Sequence, residues 1–338
     1  MYNEALNCPE CEPVDRRDFM RVVGTGTAVL IAGGSLTPVL SAAQPGATPA
    51  APAAKQPRPA EALVRELWGT LTEDQKGQIL QPWNHANRAR TFNAAMGARI
   101  GQVYRQPQQE LIERIMRAIS NGEDGYTRLS RNGGWDTNGG FTACGANFFG
   151  DVADNQRWAF VFSGHHLTAR CDGDSEPDYA FGGPIYYGHS PDGHSARNVF
   201  NFQTRAVQSV YDTLSEEQRR RAIMQNSPGD GLRTVTFRRN GYAGIPAGDL
   251  TEDQRRLVET TMRDLLSPYR REDADEVMAL IRRNGGFERL HLGFFRDAGA
   301  AAGTRWSYWR IEGPGFVWNY RVLPHVHCYV NIARAPQA

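Results

Sequence analysis

Six of the eight histidines of the chain stand in close pairs: His165 with His166 in FSGHHLTAR, His189 with His194 in YYGHSPDGHS, and His325 with His327 in PHVHCYVNI. Imidazole is the commonest protein ligand for transition metals, and a short-range pair offers two nitrogens to one ion at little cost in chain entropy. Three imidazoles with one open position would make a catalytic copper or zinc site, the open position activating water or oxygen. The competing reading is that each pair is an ordinary set of hydrogen-bonded histidines, and only their recurrence raises the metal reading above it. Arg310 and Tyr308, upstream of the last pair, are candidates for neutralising an anionic substrate and for donating a proton; their alternatives are a structural ion pair and core packing. Asp192 is a candidate base, although Ser190-Pro191-Asp192-Gly193 also reads as a plain turn.

These residues need elements to position them. On a strand, alternate side chains share a face, so His325 and His327 are expected to point the same way, with Cys328 turned to the other side. His165 and His166 would fall on opposite faces unless their strand ends at Gly164, which leaves one as third ligand and the other beside it. The strand signals are Trp158–Phe162, Trp306–Ile311, Phe316–Val322 and His325–Ile332, separated by Gly313-Pro314-Gly315 and Pro324. Leu71-Thr-Glu-Asp-Gln75, Leu214-Ser-Glu-Glu-Gln218 and Leu250-Thr-Glu-Asp-Gln254 repeat a capping box and predict three helix starts. Apolar stripes before Asn121-Gly122 and Asn284-Gly285 predict two more helices. The expected class is α+β, an antiparallel sheet built from the GHH strand and the C-terminal strands and packed with several helices.

The N-terminus bears on location. Asp15-Arg16-Arg17-Asp18-Phe19-Met20-Arg21, a glycine-interrupted apolar run from Val22 to Gly34, and Ser41-Ala42-Ala43 have the layout of a twin-arginine signal cleaved after Ala43. The run is too short and broken for a stable membrane span of about 20 residues. The expected organisation is a signal over 1–43, an Ala/Pro-rich linker over 44–59 and a single domain over 60–338, exported to the periplasm or secreted, with the twin-arginine machinery as partner. Removing residues 1–43 takes away three basic and five acidic residues, so the formal charge moves from +1 to +3. With no basic stripe interleaved with aromatics, nucleic acid is not an expected partner. Cys8 and Cys11 would leave with the signal. In an oxidising compartment Cys144 and Cys171, which flank one predicted strand region, are expected to pair, leaving Cys328 as a buried small hydrophobe or a soft metal ligand.

The string Trp158–Leu167, the Gly183-Pro184 segment leading to the Leu-Ser-Glu-Glu-Gln helix, and Tyr308–Pro314 followed by His325-Val326-His327 together resemble the DUF3500 family, over roughly Glu61 to Ile332. In the family pattern Glu usually precedes GHHL, where this chain has Ser163; an acid often stands at the position of Asn319; and an Asp-Tyr-Gly ending is absent here. The resemblance implies that any role of those acids is lost, with His189 and His194 as possible replacements. It implies no activity. No nucleophile elbow, P-loop or dinucleotide fingerprint lies in a strand-to-helix context, which argues against serine hydrolases, nucleotide enzymes and Rossmann dehydrogenases. Two expectations remain. One is an exported copper or zinc metalloenzyme, oxidoreductase or hydrolase, acting on a small molecule; the other is a periplasmic metal-binding or carrier protein without turnover.

Overall fold

Each capping string starts a helix. Thr72, Ser215 and Thr251 accept the backbone N–H of Gln75, Gln218 and Gln254, whose side chains in turn accept the N–H of the cap residue. The structure, a computed structural model, describes residues 58–153, 156–230, 232–297 and 306–335. The export signal, the Cys8/Cys11 pair and nearly all of the linker lie outside the described residues. Among those described, the helices are α1 (Pro59–Thr70), α2 (Glu73–Ile79), α3 (Ile100–Val103), α4 (Gln106–Ile119), α5 (Gly122–Leu129), α6 (Asn201–Thr213), α7 (Glu216–Ala222), α8 (Glu252–Leu266) and α9 (Arg271–Arg283). None is long and apolar enough to cross a membrane.

The strands are β1 (Leu80–Gln81), β2 (Gly145–Gly150), β3 (Trp158–Gly164), β4 (Leu167–Cys171), β5 (Ile185–His189), β6 (Ile223–Gln225), β7 (Ile245–Pro246), β8 (His291–Arg296), β9 (Tyr308–Gly313), β10 (Phe316–Arg321) and β11 (Val326–Ile332). They form one 11-stranded sheet in the order β1-β2-β3-β4-β5-β11-β10-β9-β8-β6, with β7 pairing β8. All pairings are antiparallel except the two at the ends, β1 with β2 and β6 with β8. The class is α+β, as expected. Every second residue of the central strands, such as Phe160, Tyr187, Trp309, Trp318 and Cys328, packs with the helices in one large core. The other face is covered by two irregular segments: residues 82–99 over β2–β4 and residues 226–244 over β8–β11.

This order is a palindrome centred on the β5–β11 pair, and the match extends to side chains. Gln75 and Gln108 exchange amide hydrogen bonds of 2.7 and 3.2 Å, and Gln108 also donates to Thr70 O. Gln218 and Gln254 exchange bonds of 3.0 and 2.9 Å, and Gln254 donates to Thr213 O. Gln75 donates to Val103 O, as Gln218 does to Asp249 O. Leu80 faces Phe148 in β2 as Ile223 faces Phe294 in β8. The two halves of the described chain are built on one plan about a pseudo-two-fold axis.

The expected Cys144–Cys171 bond is not formed; all three described cysteines are free and buried. Cys144 flanks the Gly164 end of β3, beside β2, whereas Cys171 pairs with Phe160 from β4 on the other side of β3. Four residues of strand put them roughly 13 Å apart along β3 alone, beyond the ~7 Å Cα separation a disulfide tolerates.

Candidate metal centre

β3 ends at Gly164 and β4 begins at Leu167, so His165 and His166 form a two-residue hairpin loop. His166 takes a left-handed backbone, φ 57°, which is uncommon away from glycine and swings its ring under the sheet. There it meets the two histidines at the start of β11. The Nε2 atoms of His166 and His325 are 3.1 Å apart, and those of His325 and His327 are 2.8 Å apart. The three rings are 1%, 4% and 3% exposed, and one ligand atom from each lies within 4.8 Å of the others. Gly188, opposite His327 in β5, gives its ring room: a Cβ there would stand 2.4 Å from Val326 O and 3.0 Å from His327 Cδ2. The Gly188 N–H also holds the carbonyl of His166 at 2.9 Å.

Two carboxylates orient this group from behind. His166 donates Nδ1–H to Asp136 Oδ2 (2.9 Å), and His327 donates Nδ1–H to Asp230 Oδ2 (3.0 Å). Each bond fixes the tautomer, so Nε2 carries a lone pair aimed at the common centre, the arrangement that supports metal-bound histidines. Asp136 also accepts from His189 Nδ1–H at 2.9 Å. Burial works to raise the Asp136 carboxyl, but Arg131 and the bonds from His166 and His189 outweigh it and hold it far below the usual carboxylate range. His165 stacks on His166, ring centroids 3.9 Å apart, and donates to the Asp136 carbonyl. Burial depresses His166 and His327 well below the ordinary imidazole value and His325 to about 3, with neighbouring histidines and Arg321 adding to the effect on the last. All three rings are neutral at pH 7, the form that ligates metal.

Arg321 closes one side. Its Nη2 lies 3.2 Å from His325 Nε2 and 3.1 Å from His327 Nε2, and its Nη1 is paired with Asp230. A quarter of the Asp230 side chain is exposed, so on that side one carboxylate separates the cluster from solvent. The segments 82–99 and 226–244 meet here: Asn93 Oδ1 accepts from the His166 N–H and the Tyr186 hydroxyl, and Asp230 comes from the other segment.

The sequence candidates therefore separate. His166, His325 and His327 converge; His165 and His189 flank them through Asp136. His194 is exposed and faces Trp306. Cys328 is on the opposite face, its Sγ accepting from Trp318 Nε1. Arg310 is buried in an ion pair with Glu312 (2.8 Å) and hydrogen bonds to Asn319 and Thr234, and the buried Tyr308 hydroxyl donates to Gly229 O. Asp192 caps its own turn through the His194 and Ser195 amides. Asp136, Asp230, Arg321 and Asn93 are the residues around the cluster that sequence reasoning missed. Asp136 sits in WDTNGG and Asp230 in SPGDG, strings that read as turns; only the non-glycine positive φ of Trp135 and Asp136 marks the first as unusual, and that is visible only in three dimensions.

A family model described as "Protein of unknown function (DUF3500)" matches residues 53–336. No curated protein and no solved structure matches the chain.

Proposed function

The chain belongs to the DUF3500 family, and from that premise we propose that it is an exported, histidine-ligated metalloenzyme holding one copper or zinc ion on His166, His325 and His327. The observation that carries the reading is the convergence of three buried, neutral imidazoles whose Nε2 atoms cluster together while carboxylates hold two of them from behind. The Nε2 atoms of His325 and His327 also face the Arg321 guanidinium, so a bound ion would take over that contact. Three nitrogen donors without a thiolate suit copper and zinc. Such a centre supplies a Lewis acid or redox site with a position for water, oxygen or substrate. Arg321 stands beside that position to neutralise an anion, and Asp230, partly exposed, can take up or release a proton at its rim. The twin-arginine string Asp15–Arg21 supports export of the folded chain to the periplasm or beyond.

The depth of burial favours a second reading, a carrier that holds the ion without turnover. Coordination separates the two, since an exchangeable ligand displaced by azide belongs to the enzyme and a saturated site to the carrier. The proposal is tested by metal analysis of protein exported by its own signal. One equivalent of copper or zinc is expected, lost in His166→Ala, His325→Ala and His327→Ala and kept in His194→Ala and Cys328→Ser. Folded wild-type protein that takes up neither metal on reconstitution would overturn it.

A further inference from the structure

The pseudo-two-fold plan makes the two halves each other's control, and they differ on the loop-covered face. In the first half, Met96, Phe149, Ala159 and Val161 form an apolar cluster with Trp83 and Phe92 of the covering segment, and the cavity there lies beyond it, lined by Pro82, Trp83 and Gly150. By strand register Phe149, Val161 and Ser163 correspond to Phe295, Arg310 and Glu312 in the second half. There the space is a cavity of about 570 Å³, walled by Pro228, Phe237 and Phe295 and floored by Arg310 and Glu312. Arg310 is 5% exposed and Glu312 1%. A buried ion pair is seldom more stabilising than the uncharged groups it could be replaced by, and here the other half of the same molecule carries uncharged Val161 and Ser163 at the matching positions. A polar floor under an open, partly aromatic cavity is the layout of a small-molecule site.

We propose that this cavity binds a small organic carboxylate with an apolar body. Glu312 is satisfied by Arg310 Nη2 (2.8 Å) and the Ala243 N–H (2.9 Å), so the floor is neutral as a pair. Arg238 lines the cavity with its side chain 55% exposed, 3.6 Å from Glu312, and leaves the site with one net positive charge. Arg238 takes the carboxylate, while Phe237, Phe295 and Pro228 hold the apolar body. The segment that walls the cavity also carries Asp230, which orients His327, so the cavity and the histidine centre share one covering element. The assignment does not depend on a metal being bound.

The test uses 4-fluorobenzoate and the mature full-length chain, followed by fluorine NMR. Saturable binding in the roughly millimolar range or tighter is expected. Arg238→Ala should weaken it about tenfold or more, and Phe237→Ala should weaken it too. Binding should persist in protein stripped with chelator. The cationic 4-fluorobenzylamine should bind more weakly than the anion. No saturable binding, preference for the amine, or binding that survives Arg238→Ala but vanishes with the metal would each overturn the proposal, the last because the carboxylate would then sit on the ion.

Discussion

At the scale of single residues, Asp136 is the most informative. One carboxylate holds His166 and His189, so Asp136→Asn removes charge from behind a ligand without emptying the space. Loss of such a partner commonly weakens metal binding about 10–100-fold, and competition with a chelator should show a drop of that order in this variant, with an unaltered metal affinity counting against the role. The same histidines set a pH dependence for the metal-free protein. An unfolded chain protonates histidine near 6.5, whereas folded His325 holds out to about 3, chiefly through burial. Between these values the unfolded state binds more protons, so stability is fully present above about pH 6.5 and falls as pH drops toward 3. His166 and His327 are shifted in the same direction and steepen the fall. Denaturant midpoints of metal-free protein should be lower at pH 4.5 than at pH 7, with a shallower dependence in His325→Ala. His325 and His327 were legible as candidates because histidine is scarce and its spacing on a strand is simple, whereas His166 was legible only as one of the His165/His166 pair. Asp136, Asp230 and Arg321 were not, because a carboxylate in a turn and an arginine in a strand each have many commoner uses.

At the scale of elements, the paired glutamines lock α2 to α4 and α7 to α8. Their side chains are buried or nearly so, and each amide serves both as donor and as acceptor. Gln108→Ala strands buried Gln75 and Gln254→Ala strands half-buried Gln218, so each should cost about 1–3 kcal/mol, the second at the lower end; thermal or denaturant unfolding that shows a penalty in only one half would contradict the equivalence. The capping boxes were readable from Thr72, Ser215 and Thr251, since a cap is written in four consecutive residues. β3, β9, β10 and β11 were readable from their aromatic and β-branched runs. The edge strands β1 and β6, two and three residues long, carry no periodicity to read. The proposed cysteine pair failed for a related reason: proximity in sequence to one strand says nothing of which neighbour each cysteine rides on or where along it.

At the scale of the whole molecule, the repeated Leu-Thr/Ser-acid-acid-Gln string was visible, but its meaning was not. A pseudo-two-fold sheet depends on pairings between residues more than a hundred apart, such as Ile185 with Val330, which local pattern does not encode. Location belongs to this scale too. Replacing Arg16 and Arg17 by Lys should stop export, and N-terminal sequencing of exported wild-type protein should begin near Gln44; an exported chain that still starts at Met1 would rule out the cleavage.

The centre draws His166 from one half of the sheet and His325 and His327 from the other, on either side of the β5–β11 seam. An ion held there acts as a clasp between the halves: any opening of the seam must first surrender it. Its contribution to keeping the seam shut grows with the logarithm of free metal over the dissociation constant. If the chain is exported folded, as proposed, possession of the ion would therefore serve as a certificate that both halves have closed.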